Sequence, residues 1–219
     1  MAKVTSLNIV EFQEKLLEWF CANGRTFPWR RKGLSSYELV IAETLLQRTK
    51  AENVSPFYKK FLSIYPDWSS LNTVPEEKLA EHLVPLGLYR QRATRLKKLA
   101  FEMARRRGKF PSNRDELDAI PFIGQYIGNA IELLVFKRPL PLVDVNMSRV
   151  LERYFRKRTL SDIRYDPFLQ GLAKRVAAHK QSIEINWAIL DYAAQICTAK
   201  DPKCDNCILA SKCTYYRNH

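Results

Sequence analysis

The sequence predicts an all-α protein. Of its 219 residues, 46% are hydrophobic and only 7 are glycine, and so little glycine disfavours the many tight turns of sandwiches and barrels. Apolar residues recur at the three- and four-residue spacing of helices along almost the whole chain. We therefore expect helices packed on helices, in one compact unit or in two interleaved lobes.

Start and stop signals predict where the helices lie. The first helix carries Ile9, Phe12 and Leu16 on one face and should end at Asn23-Gly24. Ser35 and Glu38 have the spacing of a capping box, which predicts the start of the second helix. The remaining helices are expected at about residues 54–62, 76–84, 89–107, 115–136 (interrupted by a turn), 144–155, 167–181 and 184–196.

The charge of the chain indicates its partners. It has 36 Lys and Arg against 23 Asp and Glu, a net charge of +13 and a pI near 9.6. A strongly basic chain attracts polyanions, so nucleic acid is the expected partner, with an acidic membrane surface or an acidic protein as alternatives. No apolar run reaches the length of about eighteen residues that spans a membrane, and no segment resembles a signal peptide. We expect a reducing, cytoplasmic compartment.

Four of the five cysteines form a C-x6-C-x2-C-x5-C pattern: Cys197, Cys204, Cys207 and Cys213. Four thiolates on one short loop can hold a [4Fe–4S] cube or a tetrahedral zinc ion. Disulfides are the weakest interpretation in a reducing compartment. Zinc sites usually pair two C-x2–4-C motifs across a longer gap, so the single C-x2-C favours iron–sulfur. The fifth cysteine, Cys21, is expected to pack within an apolar helix face.

Residues 120–130 read Ile-Pro-Phe-Ile-Gly-Gln-Tyr-Ile-Gly-Asn-Ala and predict a helix–hairpin–helix. A short helix should end at about residues 118–120, the chain should turn through residues 121–124, and a new helix should start at Gln125. Such a turn aims backbone N–H groups and a helix N-terminus at a phosphate. As a bare pattern it is only moderately specific, because other tight connections between helices look similar.

Asp144 is the candidate carboxylate. The helix from Gln125 should be about 16 Å long, and the extended link over residues 137–143 can cover about 20 Å, enough to return to the start of that helix. We expect Asp144 to lie beside Tyr126, at the N-cap of the next helix, where N–H groups and the helix dipole stabilise an anion. On spacing alone, a structural cap is the better interpretation of Asp144.

Four motifs in this order resemble the endonuclease III/MutY superfamily of helix–hairpin–helix base-excision DNA glycosylases. They are Phe27-Pro28-Trp29-Arg30, Glu43-Thr44-Leu45-Leu46-Gln47-Arg48-Thr49, residues 121–130 followed by Val143-Asp144-Val145-Asn146, and the cysteine loop. The resemblance covers nearly the whole chain. It implies double-stranded DNA with a mismatched or damaged base as the partner, one [4Fe–4S] cluster held by the four cysteines, a monomer, and no membrane.

The resemblance also implies a two-lobed fold with a DNA cleft between the lobes. Residues 25–136 would form a six-helix barrel lobe that includes the helix–hairpin–helix. Residues 1–24 together with 137–219 would form a second helical lobe, which ends in the cluster loop at 197–213.

Roles for the site residues follow from the same resemblance. Asp144 becomes the catalytic carboxylate, which stabilises an oxocarbenium-like sugar and orients or deprotonates the attacking water, and Asn146 holds it in place. Tyr126 stands where bifunctional relatives carry a lysine that attacks the sugar, so we expect a glycosylase without efficient strand cleavage. Gln47 and Arg48 lie where relatives fill the stack vacated by the flipped base. The other DNA contacts implied are Leu88, Ile123, Gly124, Gln125, Gly128, Lys200 and Lys203.

Two branches of the superfamily share this combination. One is the MutY adenine glycosylase, and the other is the mismatch-specific thymine/uracil glycosylase (the MIG type), which acts at G:T and G:U. The second is favoured because the chain reads Gln47-Arg48-Thr49 and Gly87-Leu88-Tyr89 and stops soon after the cysteine loop, without MutY's additional C-terminal domain. Glu43 would be the general acid toward adenine, but both branches keep it.

The hairpin departs from the family pattern at Phe122 and at Ile127-Gly128. Phe122 replaces the first glycine of the usual hairpin, and Ile127-Gly128 replaces Thr-Ala. If that glycine position needs a positive φ, Phe122 strains the turn.

A non-catalytic iron–sulfur protein that binds DNA or senses redox state is the alternative from another class, and the presence of Asp144 argues against it.

Overall fold

The computed structural model describes residues 4–218, and the described residues are helical, with no β-strand among them. The all-α prediction is confirmed. The helices are α1 (Ser6–Asn23), α2 (Ser36–Leu46), α3 (Ala51–Ile64), α4 (Trp68–Thr73), α5 (Glu76–Leu83), α6 (Tyr89–Arg105), α7 (Arg114–Asp118), α8 (Gln125–Leu134), α9 (Val145–Tyr154), α10 (Pro167–Ala177), α11 (Ser182–Gln195) and α12 (Thr214–Arg217). Within this part of the chain, no helix is both long enough and apolar enough to cross a membrane.

Helix boundaries agree with the sequence where a cap fixes them. Ser35 and Glu38 form the predicted capping box, so α2 begins at Ser36. The end predicted for α10 was wrong: the helix stops at Ala177, and residues 178–181 connect it to α11. The six-residue helix α4 was not predicted, because it is too short to show an apolar period, although Asp67 caps it.

Contacts divide the chain into two compact units, one formed by the residues up to Arg25 together with those from Lys137 onward, the other by Thr26–Phe136. Residues 1–3 and 219, which the predicted second lobe includes, lie outside the described residues. Each unit has its own hydrophobic core.

The Thr26–Phe136 unit is built around aromatic side chains. Phe27 and Trp29 stack with ring centroids 4.8 Å apart, and Trp29 meets Tyr58 edge-on, so the Phe-Pro-Trp-Arg motif is part of this core. Helix α6 packs on α4 and α5, and α2 packs on α8. The packing of α2 on α8 brings Glu43 next to Tyr126.

In the other unit, α11 packs against both α1 and α9. The buried Asn186 on α11 fixes the chain ahead of α9: its Oδ1 accepts from the Leu142 backbone N–H at 2.7 Å, and its Nδ2 donates to the Leu140 carbonyl. The chain therefore approaches Asp144 along an ordered path. Cys21, expected to be packed, is instead exposed on α1, because it lies beyond the apolar face of that helix.

Candidate functional site

Glu43 and Tyr126, which are 83 residues apart in the chain, form a hydrogen-bonded pair in the Thr26–Phe136 unit. The Tyr126 hydroxyl donates to Glu43 Oε2 at 3.0 Å. Glu43 is only 5% exposed, and a buried carboxylate needs donors to offset its lost hydration. Two of the predicted catalytic residues are thus brought together by the packing of α2 on α8.

Asp144 is the N-cap of α9, as predicted. Its Oδ1 accepts from the backbone N–H groups of Asn146 and Met147 at 2.9 and 2.8 Å. Its Oδ2 accepts from the Asn146 side-chain amide at 2.7 Å. Both carboxylate oxygens are held in this way, which fixes the orientation of the group.

The environment of Asp144 makes it more basic than an ordinary aspartate. Burial raises the pKa of Asp144, and the hydrogen bonds from Met147 and Asn146, together with the charge of Arg149, oppose this rise without reversing it. A poorly hydrated carboxylate interacts strongly with positive charge that develops beside it. The group can therefore stabilise a cationic transition state or accept a proton.

Arg149 on α9 links Asn146 to the cysteine loop. Its Nη2 donates to Asn146 Oδ1 at 3.1 Å and to the Ala193 carbonyl at 3.0 Å, and its Nε donates to the Cys197 carbonyl at 2.9 Å. A role for this residue was not predicted from the sequence. Its one signal was the i, i+3 spacing from Asn146, which places the two side chains on one face of a helix.

The hairpin between α7 and α8 carries Phe122 at its tip. Phe122 has a φ of 69°, so this position does adopt a positive φ, the condition under which Phe122 strains the turn. Phe122 is 43% exposed, and the Lys98 ammonium lies 5.6 Å from the centroid of its ring. Gly124 is the N-cap of α8, which begins without a side-chain cap in the described structure. Ile123, by contrast, turns its side chain into the core.

Two more residues of the hairpin region were expected to contact DNA. Gln125 is exposed at the first position of α8, whereas Gly128 is buried. A Cβ at Gly128 would come within 2.9 Å of Arg114 Nη2. Arg114 in turn binds the carboxylate of Asp118 and the side chain of Asn129. The structure therefore gives Gly128 a packing role, since a side chain there would push the Arg114 guanidinium and the Asp118 carboxylate out of place.

Gln47 and Arg48, the residues predicted to insert, and Leu88, a predicted DNA contact, lie at two helix ends. Gln47 is the half-buried C-cap of α2, and Arg48 follows it, exposed and with a φ of 59°. Leu88 is the N-cap of α6, 47% exposed, with a φ of 50°. Both Arg48 and Leu88 therefore present solvent-exposed side chains from left-handed backbone.

The four predicted metal-binding cysteines line one small cavity. Arg153 Nη1 lies 3.5 Å from Cys197 Sγ, and the buried Tyr192 hydroxyl donates to Cys207 Sγ at 3.0 Å. Both are donors suited to a thiolate. Burial raises the pKa of Cys213, so a metal must displace a proton there. Lys200 and Lys203, also in this loop, are exposed.

A zinc ion and a [4Fe–4S] cube need different arrangements of the four thiols. A single tetrahedral zinc ion gathers its sulfurs to within about 4 Å of one another. Among residues 4–218, no group of three or more His, Cys, Asp or Glu side chains is gathered to hold one ion. In a [4Fe–4S] cube each thiolate binds a different iron, so the cube does not need the four thiols to converge on one point, and the four that line this cavity are a suitable donor set.

Comparison with known proteins gives a consistent family. Residues 41–167 match the HhH-GPD superfamily of base excision DNA repair proteins. The thymine/uracil-DNA glycosylase of Pyrobaculum aerophilum is 34% identical, over 96% of this chain and 94% of that protein. That of Methanothermobacter thermautotrophicus is 31% identical, over 94% and 93%. An adenine DNA glycosylase of Buchnera aphidicola is 29% identical, over 96% of this chain and 61% of that protein.

Solved structures agree with this relationship. A thermostable thymine-DNA glycosylase superimposes with a TM-score of 0.88 at 30% identity, over 96% of this chain and 97% of that one. An endonuclease III–DNA complex superimposes with a TM-score of 0.81 at 23% identity, over 99% and 98%, and supports the fold alone. The chain therefore belongs to the HhH-GPD superfamily of base excision DNA repair proteins, as its resemblance to endonuclease III and MutY predicted.

Proposed function

We propose that this chain is a monofunctional DNA glycosylase that removes thymine or uracil opposite guanine from double-stranded DNA and leaves an abasic site. The observation that carries the proposal is Asp144, a carboxylate fixed by three hydrogen bonds and made more basic by burial. The family supplies the DNA glycosylase activity. Relatives named for thymine and uracil supply the target base.

In this proposal Asp144 acts on the sugar. As the C1′–N bond breaks, its electron pair leaves with the base and positive charge develops on the sugar ring. The ionised Asp144 stabilises that charge and accepts a proton from the water that attacks C1′. Asn146 keeps the carboxylate oriented through its amide and backbone N–H. Thymine and uracil depart as N1 anions and take a proton from solvent.

Tyr126 determines the fate of the DNA strand after base release. A phenol forms no imine with the sugar, so the covalent route to strand cleavage that a lysine opens is closed. We assign Tyr126 to contact with the flipped nucleotide, and its bond to Glu43 fixes the direction of its hydroxyl.

The DNA contacts in this proposal involve the exposed positions. Arg48 and Leu88 enter the base stack, the exposed hairpin backbone at Gly124 faces a phosphate, and Lys200 and Lys203 approach the backbone of the duplex. The enzyme would act as a monomer.

We propose that the cysteine loop holds one [4Fe–4S] cluster on Cys197, Cys204, Cys207 and Cys213. When bound, the cluster supplies four iron–thiolate bonds that cross-link the loop. Purified protein should contain about four iron and four acid-labile sulfide per chain. One zinc per chain without sulfide would contradict this assignment. A Cys204→Ala variant should lose the cluster, whereas Cys21→Ala, a matched control at an exposed cysteine, should keep it.

Adenine opposite 8-oxoguanine is the second candidate substrate, favoured by the buried Glu43 carboxylate and the adenine glycosylase relatives. The test is single-turnover release of free base from five duplexes that contain G:T, G:U, A:8-oxoguanine, A:G or thymine glycol. Release from G:T and G:U alone would support the proposal. Release of adenine would move the chain to the adenine branch, with Glu43 as the acid to substitute. No release from any duplex would contradict both assignments.

A further inference from the structure

Arg92 connects the two loops that carry the proposed inserting residues. It lies in the first turn of α6 and is only 6% exposed. All five of its guanidinium N–H groups have an acceptor, at 2.5 to 3.2 Å. The acceptors are the carbonyls of Thr44, Leu45, Gln47 and Gly87 and the hydroxyl of Thr49.

These acceptors place Arg92 at the C-terminal end of α2, where the helix dipole attracts a cation. The acceptors are neutral oxygen atoms. Burial lowers the pKa of Arg92, and the positive charge of Arg95 lowers it further. The guanidinium thus gives up its hydration for contacts with backbone rather than with a carboxylate. Since an exposed side chain or water could satisfy those carbonyls equally well, capping α2 is not a sufficient reason to bury an arginine.

The side-chain bonds of Arg92 lie next to both left-handed residues. Its Nη2 donates to the Gln47 carbonyl and the Thr49 hydroxyl, on either side of Arg48. Its Nε donates to the Gly87 carbonyl, which immediately precedes Leu88. Left-handed backbone is costly outside glycine, and it persists only where the surroundings hold it. One side chain therefore fixes the conformation at both exposed positions.

We propose that Arg92 is a positioning residue that locks the Gln47–Thr49 loop and the Gly87–Leu88 loop into one rigid arrangement for insertion into the base stack. The inference rests on the proposed function, which assigns Arg48 and Leu88 to insertion. A side chain that replaces a flipped base must be held rigidly, because any freedom lost on insertion weakens the complex. Arg92 removes that freedom before DNA binds.

The test measures base unstacking separately from binding. All variants are made in an Asp144→Asn background, so that the DNA stays intact. A G:T duplex carries 2-aminopurine beside the thymine, and its fluorescence rise at saturating protein reports unstacking, while anisotropy on the same duplex gives Kd. Arg92→Lys keeps the charge, but one ammonium cannot span both loops. We expect it to reduce the fluorescence rise about fivefold and to change Kd less.

Lys97→Met is the matched control. Lys97 also lies on α6 and also caps a helix, since its Nζ donates to the carbonyls of Asn72 and Val74 at the end of α4. These bonds reach neither of the two loops, so their loss should lower thermal stability and leave the fluorescence rise unchanged. Equal behaviour of Arg92→Lys and Lys97→Met would contradict the proposal, as would a full fluorescence rise in Arg92→Lys.

Thr49→Val decides the matter if Arg92→Lys does not fold. It removes only the bond beside Arg48, and we expect the fluorescence rise to fall about twofold. A Thr49→Val protein that matches Lys97→Met would overturn the inference. Firm binding without any fluorescence rise in the background protein itself would instead contradict the insertion roles on which the inference rests.

Discussion

Two aspartates in the same compact unit cap helices in the same way but differ in how many hydrogen bonds their carboxylates accept. Asp144 caps α9 and Asp166 caps α10, each through its side chain. Asp166 accepts four hydrogen bonds, from Leu169, from Leu160 and from both the backbone and the hydroxyl of Thr159. Asp144 accepts three, all from Asn146 and Met147.

The pKa of each carboxyl group reflects this difference. Burial raises the pKa of Asp144, and its fewer donors do not cancel the effect. Burial acts in the same direction on Asp166, but the bonds from Leu160, Leu169 and Thr159 together lower its pKa below the usual range. The carboxylate of Asp166, with four donors, stabilises the fold, and that of Asp144, with fewer donors, keeps the basicity that its proposed role requires.

The largest expected effect separates the two aspartates by activity. Asp144→Asn should lower single-turnover base release about a thousandfold or more, because the amide keeps the cap but carries no charge for the sugar. Asp166→Asn, the matched control, should leave base release within about threefold after correction for the folded fraction. Quench-flow or manual time courses on one G:T duplex measure both. Comparable losses in the two variants would show that Asp144 is merely a cap.

Thermal stability should rank the two variants in the opposite order, with Asp166→Asn the less stable. The folded-state pKa of Asp144 is raised, so its ionisation costs stability as pH rises through that pKa, and Asp144→Asn should melt no lower than wild type at pH 7. The pKa of Asp166 is lowered, so its ionised form contributes stability above the unfolded pKa, lost as pH falls through the folded one. Asp166→Asn should lose about 2–3 kcal/mol at pH 7. Thermal melts at pH 7 measure both variants. If Asp144→Asn were the less stable of the two, the contrast drawn between the two aspartates would be wrong.

How much of this could be predicted from sequence depends on the range of the interaction. The Ser35 capping box, the hairpin turn and the cap at Asp144 are local, so spacing was sufficient to predict them. Arg92 was not found, because its acceptors lie up to 48 residues away in sequence and nothing in its neighbourhood marks it as buried.

The same limit applies to the basicity of a capping aspartate, which depends on the donors around its carboxylate. Asp144 and Asp166 are alike in sequence as helix caps, and only the donors that folding brings to each make one basic and the other acidic. Cys21 shows the converse error: its apolar neighbours suggested burial, whereas the side chain lies beyond the packed face.

A smaller effect should appear in the pH dependence of base release. Asn146→Ala removes the amide bond to Asp144 Oδ2, which favours the ionised form, so the pKa of Asp144 should rise further. The acidic limb of the rate profile should move to higher pH by about one unit. Ser148→Ala is the matched control, because Ser148 Oγ donates to the backbone carbonyl of Asp144 and not to its carboxylate. An equal shift of the acidic limb in both variants would show that this limb does not report the ionisation of Asp144.

The smallest expected effect concerns Asp166 alone. Thr159→Val removes the hydroxyl donor and leaves the backbone N–H bond in place. The pKa of Asp166 should move up toward its ordinary value, so the midpoint of acid unfolding should move to higher pH, with a stability loss at pH 7 of about 1 kcal/mol. Base release at pH 7 should not change. A fall in base release as large as that of Asn146→Ala would mean that Asp166 also serves the reaction.

The central claim is that an ionised Asp144 drives hydrolysis while Tyr126 forms no covalent bond to the sugar. The most direct measurement is strand cleavage of a G:T duplex by wild-type protein, before and after alkali, with a parallel reaction that contains borohydride. We expect strand breaks only after alkali and no protein–DNA adduct with borohydride. Breaks without alkali, or a trapped adduct, would contradict the account, because both require an imine that Tyr126 does not form.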